Sequence, residues 1–311
     1  MAAEPFWPRV SPHFVECRRA VRAFDAPALI GLSGGPDSLA LVAAAVAEGK
    51  DARAVVVDHG LQDGSATVAQ RAAAVAQRLG VHAEVVSVGV APTPGESVEA
   101  VAREARYAAL SAAARRDGRD IWVAHTREDQ AETLLLGALR GNPVGMSSVS
   151  FLENGRRLAR PFLTIRRADT VGACEELELD PWHDPMNEDL AYRRVAVRQS
   201  IIPALADLIG GDAVPALART ADRIAADQEL LASLVNLSPT NNCATLAADP
   251  TPIRQRRIMA WLRDAGVNVG GATLAAIDQL CVNWCGQGPV AIGGGLQVVR
   301  RSGELIVEKR A

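Results

Sequence analysis

Short apolar runs alternate with long stretches of small residues from residue 28 onward. We predict four strands from the apolar runs, at 28–32, 53–57, 82–88 and 120–124. The alanine-rich stretches predict four helices between or after them, at about 38–48, 65–79, 96–116 and 128–139. Strands that alternate with helices of this length are typical of a parallel sheet with crossover helices. The pattern therefore predicts an α/β fold with a parallel, doubly wound sheet.

The rest of the chain predicts further helices of the first lobe, a connecting helix and a smaller C-terminal region. Three helices, at 9–24, 165–178 and 190–208, are assigned to the first lobe, and one long helix, 212–236, is a plausible connector. A turn-rich break at 236–252 follows, then helices at about 252–265 and 272–283 and short strands near 289–293, 296–300 and 304–308. We therefore predict a domain at 1–211, a linker helix at 212–239 and a small C-terminal α+β domain at 240–311.

Composition excludes some classes of protein. The 311 residues include 33 Lys plus Arg and 36 Asp plus Glu, a net charge of -3, so any surface for nucleic acid must be local. The five cysteines are odd in number and scattered, which argues against a disulfide framework and for a reducing, cytoplasmic compartment. No run approaches the ~20 apolar residues of a membrane span, so we expect no membrane association.

The sequence SGGPDS, at residues 33–38, joins the first strand to the first long helix. Glycines at a strand-to-helix turn present backbone N–H groups and a helix N-terminus to an anion, and phosphate is the leading candidate. The common P-loop has a lysine that reaches the phosphates, whereas this stretch has Asp37. We predict a different kind of nucleotide loop, formed by Ser33, Gly34, Gly35, Pro36, Asp37 and Ser38. The alternative is a capped glycine turn without a ligand.

Polar residues also follow the second and fourth strands. Asp58 and His59 follow the second strand, and His125 follows the fourth. In open α/β sheets, ligands bind outside the carboxyl ends of the strands. We predict that these three residues line the nucleotide site and assign no proton transfer to the histidines, although a single histidine is more often an ordinary buried polar group.

Five stretches in order resemble one family. SGGPDS resembles the loop of the PP-loop ATP pyrophosphatases, and four others resemble tRNA(Ile)-lysidine synthetases: VDHGLQDGSA (57–66), AREARYAAL (102–110), AHTREDQAETLLLGALRG (124–141) and DPMNEDLAYRRVAVRQSIIPAL (184–205). The resemblance implies ATP-dependent ligation of free L-lysine to carbon 2 of the wobble cytidine of tRNA(Ile) with a CAU anticodon. The cytidine is adenylated first, and AMP and pyrophosphate are released.

The resemblance also implies roles for acidic and basic residues. Asp37 is expected to bind Mg²⁺ together with the ATP phosphates. Asp129 and Glu132, three apart on one helix face, are expected to be catalytic and to bind the lysine amine; the alternative is an acidic first turn that complements the helix dipole. Arg103 and Arg106 are expected to bind the lysine carboxylate or the phosphates, whereas the alternative is an exposed helix face with Arg103 paired to Glu99.

Two groups of arginines are candidates for binding tRNA phosphates. The first lies in RRLARPFLTIRR and the second in the last motif, and their members are Arg156, Arg157, Arg160, Arg166, Arg167, Arg194 and Arg198. A solvated surface is the alternative for such a stretch. The C-terminal domain is also assigned to tRNA binding.

Some positions depart from the family pattern. Thr126, Glu128 and Val195 stand where the family has histidine, aspartate and asparagine. Three other interpretations stay open: a PP-loop tRNA thiolase, although no Cys-x-x-Cys is present; a small-molecule amidating ligase; and a non-catalytic tRNA- or nucleotide-binding homologue. The sequence also leaves open whether the chain is a monomer or a homodimer.

Overall fold

The computed structural model describes residues 7–62, 64–91, 98–152 and 154–310. Its α-helices are α1 (Pro12–Arg22), α2 (Pro36–Ala47), α3 (Ser65–Arg78), α4 (Val98–Asp117), α5 (Arg127–Leu139), α6 (Arg167–Glu176), α7 (Arg193–Ala196), α8 (Ile202–Ile209), α9 (Val214–Leu234), α10 (Cys243–Ala248), α11 (Thr251–Asp264) and α12 (Gly271–Val282). Its strands are β1 (Ala28–Gly31), β2 (Ala52–Asp58), β3 (His82–Ser87), β4 (Asp120–Trp122), β5 (Val149–Phe151), β6 (Arg157–Ala159), β7 (Val290–Gly293), β8 (Leu296–Arg301) and β9 (Glu304–Lys309).

Six strands form the central sheet in the order β3-β2-β1-β4-β6-β5. The first five of these are parallel to their neighbours, and β5 runs antiparallel to β6. Ile30 of β1 pairs with Ala54 of β2 on one side and with Trp122 of β4 on the other. The strand order therefore reverses between β1 and β4, and a ligand crevice is expected at such a point. The predicted parallel, doubly wound fold is confirmed.

Helices cover both faces of this sheet. On one face, Phe14, Leu41 and Ala173, from α1, α2 and α6, pack in a cluster with the β1 side chain of Ile30. On the other face, Leu110 of α4 belongs to a second cluster that includes further strand residues. Many of the helical core positions are alanine, so the helices approach the sheet closely. A sheet buried on both faces explains why its strands are continuous apolar runs rather than alternating ones.

The C-terminal region has its own core and its own sheet. Helices α10, α11 and α12 pack with the antiparallel sheet β7-β8-β9 around side chains such as Leu246, Ile258 and Val298, which are fully buried. A buried ion pair joins α11 to α12, because Arg254 Nε donates to Asp278 Oδ1 at 2.5 Å. A small C-terminal α+β region is thus present as predicted from the sequence.

The chain divides into two compact units. The first consists of Met1–Thr133 and Met146–Thr220, and the second of Leu134–Gly145 and Ala221–Ala311. The division falls inside α5 and inside α9. The predicted domain limits, 1–211, 212–239 and 240–311, are not the limits of these units, and as domain boundaries they stay predictions.

Three local expectations differ from the structure. Strands β5 and β6 have three residues each and were not predicted, and α10 lies within the predicted break at 236–252. Asn242 caps α10, since its side chain accepts a hydrogen bond from the Thr245 N–H at 2.9 Å. The helix predicted at 190–208 is divided into α7, a π-helical turn at Val197–Ile201, and α8. Pro203 lies in the first turn of α8 and has no N–H to continue the α-helical pattern.

Within the described residues, no single helix has both the length and the apolar character needed to cross a membrane. The segments Arg193–Ile209 and Val214–Leu234 satisfy the length and composition criteria only when they are taken together, and they are bent by 104°.

Candidate active site

The loop between β1 and α2 has a conformation fixed by glycine and serine. Gly34 has a φ of +85°, and a Cβ there would lie 3.1 Å from the Cβ of Ala72, so glycine is required. The Ser38 hydroxyl accepts a hydrogen bond from the Ser33 N–H and donates one to the Gly35 carbonyl, both at 3.1 Å. These contacts hold the turn in place at the N-terminus of α2, where an anion is favoured.

Asp37, in the first turn of α2, is bonded to side chains of α6. Its carboxylate accepts a short hydrogen bond from the Thr170 hydroxyl, and its Oδ2 lies 3.4 Å from the Nε of Arg167. Burial raises the pKa of Asp37, Arg167 and Thr170 lower it, and nearby Asp129 raises it, with a net increase. Nothing in the sequence indicated Thr170, which is 133 residues away from Asp37.

The predicted carboxylates of α5 are both buried. Asp129 Oδ2 accepts hydrogen bonds from the backbone N–H and the hydroxyl of Thr126, at 2.8 and 3.0 Å. This is half of a capping box, and it holds the Asp129 carboxylate at the start of α5. Glu132 is 0% exposed. Because Asp129 and Glu132 share a helix face, both carboxylates are brought to one place, as predicted.

Arg167 connects Asp37 with these two carboxylates. Its Nη2 donates to Asp129 Oδ1 at 3.2 Å, and its Nη1 lies 3.7 Å from Glu132 Oε1 without forming a hydrogen bond. The guanidinium therefore contacts carboxylates from two helices, α2 and α5. The side chain is 23% exposed. Arg167 is predicted from the sequence to bind tRNA phosphates, whereas the structure places it among the catalytic candidates, so it is not part of an open basic surface.

Two more arginines reach the same carboxylates. Arg198 forms a bidentate ion pair with Glu132: its Nε donates at 2.7 Å and its Nη2 at 3.2 Å. Arg194 donates to the Thr133 hydroxyl at 3.3 Å and lies 3.9 Å from Asp129. Arg198 lies in the π-helical turn, a conformation that is frequent at functional sites. Three carboxylates thus face three guanidinium groups.

The environment separates the pKa values of the two α5 carboxylates. Burial raises the pKa of Asp129, but Arg167, His125, the Thr126 N–H and Arg194 lower it, and the net pKa lies below the ordinary value. For Glu132, burial dominates over Arg198, and the net pKa is raised. The ionised form is therefore favoured at Asp129 and disfavoured at Glu132.

The three residues expected to line the nucleotide site lie where predicted, at the strand ends. Asp58 ends β2 and accepts a hydrogen bond from the Gly60 N–H at 3.0 Å. His59 and His125 each have a buried Nδ1 without a hydrogen-bond partner among the described residues. Burial lowers the pKa of both histidines, and for His125 the decrease is large, so both rings are neutral at pH 7. An unpaired buried nitrogen is costly, so each Nδ1 needs a partner from a ligand or from water.

Arg103 and Arg106 of α4 lie near these histidines. Arg103 contributes to the low pKa of His125, and Arg106 to that of His59. The guanidinium of Arg103 also lies 5.0 Å from the centre of the Tyr107 ring. The alternative pairing of Arg103 with Glu99 lies outside the described residues. Both arginines add positive charge at the edge where the histidines lie.

The five arginines of 156–167 do not form one surface. Arg157 donates to Asp120 at 2.8 Å, and Arg166 donates to Glu128 and Asp212 at 2.7 and 2.5 Å. Arg160 is only 9% exposed and donates to the Ser147 carbonyl at 2.7 Å. Arg156 is half-buried at the turn that precedes β6. The stretch itself contains no acid, but acids from distant segments pair with Arg157, Arg166 and Arg167.

The donor set fits a magnesium ion held mainly by substrate. No group of three or more His, Cys, Asp or Glu side chains within the described ranges is arranged to hold a metal. Mg²⁺ typically takes one or two carboxylates together with substrate phosphates. Asp37 supplies one such carboxylate beside the phosphate loop, so the residues present are compatible with that mode of binding.

Comparisons with known proteins identify the family. The PP-loop domain family matches residues 16–205. The chain is 50% identical over 307 residues to a tRNA(Ile)-lysidine synthase of Corynebacterium glutamicum, with 96% of both chains covered. It is 44% identical to the Mycolicibacterium paratuberculosis protein of that name, with 90% of each chain covered. A solved tRNA thiolase of Methanococcus maripaludis, which carries a [4Fe-4S] cluster, has the same fold: the TM-score is 0.54, the identity is 16%, and 72% of this chain and 81% of that one are covered. The chain, with its phosphate loop and its paired carboxylates on α5, belongs to the tRNA(Ile)-lysidine synthase family of PP-loop proteins, as the five motifs predicted.

Proposed function

We propose that this chain ligates free L-lysine to carbon 2 of the wobble cytidine of tRNA(Ile) with a CAU anticodon, and that it uses ATP. Family membership supports ATP and tRNA as substrates. The observation that carries the chemistry is the contact of Arg167 with Asp37, Asp129 and Glu132. Because one guanidinium reaches the end of the phosphate loop and both α5 carboxylates, the nucleotide and the amine are proposed to bind in one continuous site.

The first step forms a bond between the cytidine O2 and the α-phosphorus of ATP, and pyrophosphate leaves. Ser33, Gly34 and Gly35 are proposed to hold the leaving phosphates through the loop and the N-terminus of α2. Asp37 would hold Mg²⁺, which when bound neutralises phosphate charge. His59 and His125, both neutral, are proposed to hydrogen-bond the nucleotide through their unpaired Nδ1 atoms.

The second step forms the bond between the lysine Nε and carbon 2, and AMP leaves with the O2 oxygen. The amine must lose a proton to attack. We assign Asp129 to binding the ammonium and Glu132 to accepting its proton, because burial raises the pKa of Glu132 while the pKa of Asp129 is lowered. Both Glu132 oxygens already accept bonds from Arg198, so the amine has to share or displace this arginine.

The opposite end of lysine carries a carboxylate and needs a cation. Arg103 lies near His125, and Arg106 lies near His59, as their effects on the histidine pKa values indicate. We propose that one of them binds the lysine carboxylate. Arg156 is retained as a proposed tRNA contact, whereas Arg167 is proposed to organise the site, because it contacts three carboxylates. Arg160 and Arg166 have other partners within the protein and are not retained as tRNA contacts.

A thiolase function has no support from the cysteines. Four of the five, Cys17, Cys174, Cys243 and Cys281, are buried, and only Cys285 is exposed. Burial raises the pKa of the Cys17 and Cys174 thiols, so neither is a ready nucleophile. The likeness to the thiolase structure therefore concerns the fold alone.

The test is transfer of labelled lysine to a tRNA(Ile) transcript with a CAU anticodon in the presence of ATP and Mg²⁺. A tRNA(Met) transcript is the control. We expect selective labelling, with AMP and pyrophosphate as products. Glu132→Gln should abolish transfer while adenylation of the tRNA continues. Glu128→Gln is the matched control, because it changes an α5 acid that binds the Arg166 side chain and the Arg167 backbone N–H, and glutamine keeps an oxygen that can accept such bonds. If the wild type released pyrophosphate without transferring lysine, the proposed reaction would be wrong and the chain would be another PP-loop ligase.

A further inference from the structure

The second unit contains a groove that the proposed reaction does not use. The end of α5 and the loop after it form one side, and α11 with the loop before α12 forms the other. Its volume is about 530 Å³. Ligand clefts typically have about 300–1,000 Å³. Its lining includes Arg140, Asn142, Val144, Met259, Arg263 and Asn268.

The groove combines an apolar floor with unpaired positive charge. Val144 and Met259 are half-buried, and the lining includes no acidic residue. Neither Arg140 nor Arg263 has an ion pair within the described part of the chain, whereas the neighbouring Arg254 is paired with Asp278 at 2.5 Å. Both side chains are exposed, so the positive charge of the groove faces solvent and is accessible to an anionic ligand.

Close contacts of three glycines fix the loop that carries Arg140 and Asn142. A Cβ on Gly137 would lie 2.7 Å from the Asn142 carbonyl oxygen, and one on Gly145 would lie 1.9 Å from the carbonyl oxygen of Ala221. A Cβ on Gly271 would lie 2.7 Å from the carbonyl oxygen of Gly141, which belongs to the same loop. Real side chains do not fit at these distances, so the loop is packed backbone to backbone.

Two backbone hydrogen bonds complete this arrangement. The Asn142 N–H donates to the Gly137 carbonyl at 2.9 Å, and the Gly271 N–H donates to the Arg140 carbonyl at 3.0 Å. One wall of the groove is therefore preformed, and a ligand that binds there does not have to order it. Preorganisation of this kind increases affinity because less conformational entropy is lost on binding.

We propose that this groove binds an unpaired nucleotide segment of the tRNA, and this proposal rests on the proposed function, which makes RNA the substrate. Arg140 and Arg263 are suited to phosphate because a planar guanidinium binds two oxygens at once. A base packs against the apolar floor of Val144 and Met259. The amide of Asn142, whose Nδ2 lies 4.0 Å from the Met259 sulfur, reads the edge of the base. An acidic peptide would satisfy the arginines, but it would leave the floor and the amides without a use.

The experiment compares two doubly charge-reversed proteins. Arg140→Glu with Arg263→Glu changes the groove, and Arg223→Glu with Arg310→Glu makes the same change in net charge at exposed arginines of the second unit that do not line it. The dissociation constant for the tRNA(Ile) transcript is measured by fluorescence anisotropy at several salt concentrations. We expect the groove variant to bind at least tenfold more weakly and its log–log salt slope to decrease by about two.

Equal losses in the two variants, or an unchanged slope, would overturn the proposal. Two further readouts keep it open to refutation if charge reversal disturbs the fold. Asn142→Ala should weaken binding severalfold at an unchanged salt slope, and tRNA containing 4-thiouridine should crosslink to peptides from the groove. Polyglutamate that competes as well as RNA of equal charge would refute a nucleotide site. The proposed reaction is judged separately, by lysine transfer in the wild type, so its failure is distinguishable from failure of the groove.

Discussion

Replacing Arg167 by methionine tests whether this buried cation organises the site. The substitution keeps most of the length of the side chain and removes its charge. In the wild type the guanidinium lies 3.2 Å from Asp129, 3.4 Å from Asp37 and 3.7 Å from Glu132. Its removal leaves three carboxylates close together with less positive charge to offset their mutual repulsion. We expect a clear loss of stability in the first unit.

The size of this loss follows from opposing contributions. At an effective dielectric constant of about 20, each of the three pairs is worth about 4–5 kcal/mol of attraction, and desolvation of the charges opposes most of it. Breaking a buried pair has a net cost of about 3–5 kcal/mol. Since about 2–4 °C correspond to 1 kcal/mol in a unit of this size, the melting temperature should fall by about 6–20 °C.

The loss should also depend on pH, in a direction that the carboxylates determine. In the wild type the net pKa of Asp129 lies below its ordinary value, so its contribution to stability is present above the unfolded pKa and is lost as the pH falls. Without Arg167, burial dominates, and the folded pKa should rise above the unfolded value. The variant then takes up a proton on folding. The difference in free energy of unfolding between wild type and variant should therefore become smaller as the pH falls from 8 to 5.

Differential scanning fluorimetry and urea unfolding at pH 5, 6.5 and 8 measure this effect. Arg166→Met is the matched control, because Arg166 binds Glu128 and Asp212 at a more exposed position. We expect the control to lose less, about 1 kcal/mol for each partner, because Arg166 and Asp212 are 33% and 47% exposed and water screens their charges. If Arg167→Met were as stable as the control, or if its deficit grew toward acidic pH, the assignment of Arg167 as the organising cation would be wrong.

Three other predictions concern single residues. Asp37→Asn should keep the fold and abolish AMP formation; normal turnover would exclude its role beside the phosphates. The ring signals of His125 in NMR spectra should not titrate between pH 5 and pH 8, since burial lowers its pKa far below 6.5. The stability of the fold should decrease as the pH drops below 6.5, because the unfolded chain then binds the proton. A titration midpoint of the ring signals near pH 6.5 would contradict this. Arg254→Met should destabilise the second unit by about 3–5 kcal/mol in urea unfolding, as it leaves Asp278 buried and unpaired; a loss below about 1 kcal/mol would show that water reaches this pair.

The sequence alone determined the main elements of the fold and the place of the candidate site. The apolar runs that become β1 and β2 and the helices between them are local patterns, so their positions are readable from neighbouring residues. The rule that ligands bind at carboxyl strand ends then placed Asp58, His59 and His125 at one edge. Asp129 and Glu132 share a face because they lie three apart on a helix, which is also a local relation.

Only the tertiary structure decided which charges neutralise each other. Arg167 and Asp37 are 130 residues apart, so the sequence predicts tRNA phosphates as the partners of Arg167, because the stretch 156–167 contains no acid. Strands β5 and β6 are too short for a periodic signal, and the packing of the loop at 140–145 depends on close backbone contacts with α9 and α12. Secondary structure follows largely from neighbours in sequence, whereas ion pairs and preformed grooves depend on neighbours in space.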